Sequence, residues 1–143
     1  MQYFEDFQVG DKSVTRGRTI TEADIVNFAS FSGDWYPLHV DVEYAKKSVF
    51  GERIAHGFLV LSAASGLSPL YDIAIIAFYG IDKLRFFAPT KIGDTIRVES
   101  EVVETKDKGD AGGVVAFQQT IKNQRDEDVV SSVMKVFVAK KES

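Results

Sequence analysis

Apolar residues recur at every second position through the later part of the chain. From Thr95 to Val102, Ile96, Val98 and Val102 share one face and charged residues take the other, which predicts a half-buried strand. Val115, Phe117, Gln119 and Ile121 form one face of a following strand, and Val129 to Ala139 predicts a last long one. Charged, glycine-containing Lys106–Gly113 and polar Asn123–Asp128 are the turns between them. Upstream, Ile73–Tyr79 is so uniformly apolar that it predicts a strand buried on both faces. Gly80-Ile81-Asp82 interrupts it, Lys83–Phe87 resumes the alternation as far as Pro89, and Thr90–Asp94 turns the chain.

The first half has a different period. Lys12 to Thr19 mixes β-branched residues with charges and predicts an edge-like strand after an irregular lead-in over residues 3–12. Thr21-Glu22-Ala23-Asp24 is a helix start in which threonine and an acid cap each other, and Ile25, Phe28 and Ala29 follow at helical spacing. Gly33 ends that helix. Val42–Ser48 predicts a short helix with Tyr44 and Ala45 turned inward. From Gly57 to Leu67 the residues are apolar or small on every side, with few β-branched among them, so a helix buried all round is expected rather than a strand. Helices first and antiparallel strands afterwards give an α+β class: a bent antiparallel sheet wrapped around the one apolar helix, the hot-dog arrangement. Sheets with free edges manage them by pairing, so a homodimer or higher homo-oligomer is expected.

Composition narrows the function. The 143 residues carry 45% hydrophobic and 27% charged side chains, the balance of a soluble globular chain, and show no repeat or linker, so one domain over 1–143 is expected. A net charge of −4 without a basic patch argues against nucleic acid. There is no cysteine, hence no disulfide, thiolate site or cysteine nucleophile. The amino terminus lacks a secretion signal and the longest apolar run is too short for a bilayer, so a cytoplasmic protein without membrane contact is expected.

The chemistry concentrates in Phe31–Asp41 and Arg53–Phe58, which hold both histidines of the chain. Gly33 and Pro37 fix an irregular bend on which Asp34 and His39 can face one cavity, although Asp-x₄-His spacing alone is nearly uninformative. His39 suits proton transfer near neutral pH. Gly57 opens the apolar helix, whose first N–H groups have no internal partner and lie at the positive end of the dipole, so a ligand oxygen could be held there. His56 reads as a structural hydrogen-bonding residue. A metal site from Asp34, His39, Asp41 and His56 has no recognised ligand spacing, and none is expected.

Gly33-Asp34-Trp35-Tyr36-Pro37-Leu38-His39-Val40-Asp41 followed by Phe50-Gly51-Glu52-Arg53-Ile54-Ala55-His56-Gly57-Phe58 resembles the MaoC-like, (R)-specific enoyl-CoA hydratase family. Leu84–Pro89 and Ile92-Gly93-Asp94-Thr95 extend the likeness to roughly residues 20–103. The resemblance implies hydration of a trans-2-enoyl-CoA to an (R)-3-hydroxyacyl-CoA, or the reverse dehydration, with coenzyme A part of the substrate and no separate cofactor. By the same resemblance Asp34 and His39 would be the catalytic pair, the Gly57 N–H would polarise the thioester, and Tyr36, Phe58 and Ser65 would contact substrate. Tyr36 stands where the family usually has Asn, a departure that bears on the acyl group accepted. Two other readings compete. A hot-dog thioesterase would release free thiol, and an acyl-CoA-binding subunit would bind without turnover.

Overall fold

The structure, a computed structural model, describes residues 1–142. The first long helix forms where its cap is written. The Asp24 N–H donates to the Thr21 hydroxyl at 3.2 Å while the Asp24 carboxylate accepts the Thr21 N–H at 2.9 Å. This helix, α1 (Glu22–Ser32), ends at Gly33, whose φ of 77° lies in the left-handed region that glycine adopts without strain. Proline then starts a single helical turn, α2 (Pro37–Val40), where irregular backbone is expected from sequence. Asp41 caps the next short helix, α3 (Val42–Lys46), by accepting the Tyr44 N–H at 3.0 Å.

Six strands form one antiparallel sheet: β1 (Lys12–Val14), β2 (Arg18–Thr19), β3 (Ile75–Phe86), β4 (Thr95–Asp107), β5 (Gly112–Lys122) and β6 (Asp128–Ala139). The order across the sheet is β1-β4-β5-β6-β3, with β2 also on β4. The central helix, α4 (Gly57–Leu67), lays Leu59, Val60, Ala63, Ala64 and Leu67 against Ile96, Val98, Ile121, Val129 and Val130 of β4, β5 and β6. A second cluster gathers Phe7, Val102, Val115, Phe117, Val136 and Val138 under the amino-terminal segment and the residues that follow α4. This is the hot-dog arrangement. Among the described residues no helix is long and apolar enough to cross a membrane.

The pattern misleads in five places. Lys12–Thr19 is two short strands, not one, both on β4. Gly80-Ile81-Asp82 does not interrupt β3, because shifts of register against β6 absorb the irregularity and leave one continuous strand. Nor is β3 buried on both faces: among the described residues it lies at the edge of the sheet beside β6 and exposes Ile76, Phe78, Tyr79, Ile81 and Phe86. The central helix is not buried all round either, since Phe58, Ser62, Ser65 and Gly66 follow one another down an open stripe. Ala45 of α3 is buried, but Tyr44 points outward and shares a 3.2 Å hydrogen bond with the Tyr36 hydroxyl.

Candidate active site

Three helix ends meet at one point. Gly33 turns the chain out of α1 and delivers Asp34, whose carboxylate accepts the Tyr36 N–H at 3.2 Å. That local turn leads into α2, which carries His39. The same helical turn is clasped from the far side by the segment entering α4. His39 Nδ1 lies 2.8 Å from the Ile54 carbonyl, and Arg53 Nε donates to the His39 carbonyl at 2.8 Å. Arg53 also reaches Glu22 at the start of α1, N to O 2.6 Å. A carbonyl only accepts, so His39 carries its proton on Nδ1 and presents a bare Nε2. Arg53 is absent from the candidates that sequence yields; it lies within the motif, but only the fold shows that its guanidinium holds the backbone of His39.

His56, the residue before α4, is almost wholly buried, and its Nε2–H donates to the Asp34 backbone carbonyl at 2.9 Å. The rings of His39 and His56 stack with centroids 3.9 Å apart and planes at 27°. Burial is the main influence holding the His39 imidazole below its ordinary value, assisted by His56; the Ile54 carbonyl and the Asp34 charge oppose it. His39 is therefore a neutral base at neutral pH.

His39 and Gly57 line one cavity of about 400 Å³. Its other walls are almost entirely apolar, Ile54, Val60, Phe86 and Val130 among them. A Cβ added at Gly57 would stand 2.8 Å from Phe86 Cε1, so only glycine keeps that wall clear of the helix start. A second cavity, of about 360 Å³ and including Phe7, Leu70, Val102 and Met134 among its walls, lies past the other end of α4 and holds none of the candidate residues.

Donor atoms of Asp34, His39 and His56 lie within 4.8 Å of one another, but Asp34 is exposed and is not among the residues that line the cavity beside His39. A cation would need nitrogens that converge. Here one nitrogen of each ring is occupied by a carbonyl, and the stacked rings project the others in adjacent planes. Asp41 is engaged elsewhere, capping α3. Tyr36 stands edge-on to His39 at 6.2 Å but does not line the cavity. Phe58 and Ser65 occupy the open stripe of α4 outside the cavity, the Ser65 hydroxyl donating to the Ser62 carbonyl at 2.6 Å.

A family model described as the MaoC like domain matches residues 6–124. Protein MaoC of Klebsiella aerogenes is 43% identical over 128 residues, covering 89% of this chain and 34% of that protein. An (R)-specific enoyl-CoA hydratase of Rhodospirillum rubrum is 41% identical over 96 residues, 67% of this chain and 66% of that one. The chain thus spans about a third of the first relative and just under two thirds of the second. Among solved structures, a monoamine oxidase regulatory protein from Archaeoglobus fulgius superposes with a TM-score of 0.93 at 43% identity, covering 99% of this chain and 96% of that one.

Proposed function

The chain belongs to the MaoC-like dehydratase family, and from that premise we propose that it adds water to a trans-2-enoyl-CoA to give an (R)-3-hydroxyacyl-CoA, or removes it in reverse. The observation that carries this reading is that His39 and the Gly57 end of α4 line a largely apolar cavity while donor atoms of Asp34 and His39 lie within 4.8 Å of each other. A water molecule held between the Asp34 carboxylate and the bare His39 Nε2 gives up a proton as its oxygen bonds to C3 of the acyl chain. The C2–C3 π electrons move onto the thioester oxygen, where the Gly57 N–H and the positive end of α4 meet the growing enolate charge. The Asp34–His39 pair then returns a proton to C2 as the enolate collapses. Because the two groups are coupled, the proton transfers belong to the pair. The thioester itself acidifies C2, so the reading calls for no metal or redox cofactor. Apolar walls suit an acyl chain, and the free edge of β3 suits a homodimer.

The test is a spectrophotometric hydration assay with enoyl-CoAs of short, branched and medium chain, followed by chiral analysis of the product. Loss of enoyl absorbance with an (R)-product supports the reading. Thiol release instead would mark a thioesterase, and binding without turnover would mark an acyl-CoA carrier; either result refutes the proposal.

A further inference from the structure

Resting on the hydratase reading of this cavity, we infer that His56 is a positioning residue that sets the Asp34 carboxylate against His39 through the hydrogen bond from its Nε2–H to the Asp34 carbonyl. The ring sits between Phe28 of α1, with centroids 4.9 Å apart, and His39 of α2, at 3.9 Å, and it is the residue on which α4 begins. Three elements are thereby referred to a single side chain. The remaining hydrogen bonds of Asp34 among the described residues are local, to the Ser32 hydroxyl and the Tyr36 N–H, and they shape the turn without fixing it to the body of the protein. Among the described residues, only the hydrogen bond from His56 ties residue 34 to a distant part of the chain.

A histidine is a costly choice for a plain wall. With Nε2 protonated, Nδ1 is left as an acceptor, and that atom is buried without a protein partner. A buried acceptor left unpaired costs about 1–3 kcal/mol. A phenylalanine in the slot would pack between Phe28 and His39 without that cost. What it would lack is the donor to Asp34, and that donor is the feature accounting for the imidazole. Losing it frees residue 34 to drift, and a displacement of about 1 Å in a catalytic group costs on the order of a hundredfold in rate.

Two variants separate positioning from packing. His56→Phe keeps a ring between Phe28 and His39 and deletes the donor; His56→Gln deletes the ring and keeps an N–H that can reach the carbonyl. We expect His56→Phe to lose about a hundredfold in kcat with KM within about twofold and without a lower melting temperature, and His56→Gln to recover about tenfold or more of that loss despite poorer packing. Wild-type kcat in His56→Phe, or His56→Gln no more active than His56→Phe, overturns the inference. Long-range proton–nitrogen spectra of the imidazoles in alkaline buffer give a reading independent of turnover: the Nε2–H tautomer of His56 is expected, and the Nδ1–H tautomer refutes it. If the wild-type protein hydrates no enoyl-CoA while that tautomer is present, it is the hydratase reading that has failed and not the hydrogen bond.

Discussion

Replacing Asp34 by Asn isolates one charge in the proposed mechanism. The Asp34 side chain is exposed, and its carboxylate accepts the Tyr36 N–H at 3.2 Å. An amide oxygen in the same place accepts that hydrogen as well, so the turn survives and stability should move by less than about 0.5 kcal/mol, as for most surface changes. Lost are the negative charge and the capacity to share a proton with His39. Removal of one general acid–base partner lowers turnover by about 10²–10⁴-fold, or about 2.7–5.4 kcal/mol of transition-state stabilisation at ~1.36 kcal/mol per decade. A second effect has a definite sign. The Asp34 carboxylate favours the imidazolium form of His39, so deleting it lowers the histidine further, and the acid limb of the residual rate must move to lower pH. Enoyl-CoA absorbance read across pH, beside a thermal melt, measures all three quantities. A near-normal rate in Asp34→Asn, or an acid limb moved to higher pH, would refute the pairing.

Other expectations follow from the same geometry. Gly57→Ala keeps the N–H but crowds Phe86, while Gly57→Pro crowds it and also removes the N–H; turnover should fall modestly in the first and vanish in the second, and equal rates in the two would dispose of the helix-end amide. His39 is lowered from 6.5, chiefly by burial, so the midpoint of the acid limb of wild-type turnover should lie below pH 6.5; a midpoint above 6.5 contradicts it. Since the folded value lies below the unfolded one, His39 contributes stability above the unfolded value that is lost as pH falls, and a melt series shows the direction. Phe78→Lys places a charge on the exposed edge strand β3 and should convert a dimer to a monomer in light scattering; a wild-type monomer would remove the dimer proposal outright.

Features set by neighbours in sequence were legible. The mutual cap of Thr21 and Asp24, the glycine that ends α1, the span of α4 and the alternation of β4 depend on contacts a few residues apart. Features set by what lies opposite were not. Whether Tyr44 turns in or out depends on the hydroxyl of Tyr36, eight positions away. The apolarity of β3 says that the strand is to be covered; only the order of strands tells that its own chain leaves it open. In the site, Asp34, His39 and Gly57 were recognisable as chemical types on an irregular stretch. The clasp between Arg53 and His39 and the tether from His56 to Asp34 each join a side chain to a backbone carbonyl, and a carbonyl has no signature in a sequence.

The two failures of burial have a common cause. Phe58, Ser62, Ser65 and Gly66 recur at intervals of three and four and so form one stripe of α4. Ile76, Phe78 and Ile81 lie on the edge strand. A sequence apolar enough to predict complete burial, on two elements that the fold leaves partly bare, is the pattern of a surface awaiting cover. In the proposed dimer a second copy would supply it, because an antiparallel edge can pair with its own image across a two-fold axis so that the same patch serves both subunits. In the proposed dimer the small side chains of Ser62, Ser65 and Gly66 allow close approach, and Phe58 would be packed by the partner subunit. The two substrate-contacting candidates that the single chain leaves outside its cavity, Phe58 and Ser65, both stand on that surface. In the proposed dimer they would meet substrate at the junction of two subunits. Variants at these positions should therefore change solution mass and turnover together, and a variant that alters KM in a protein of unchanged mass would separate the two roles.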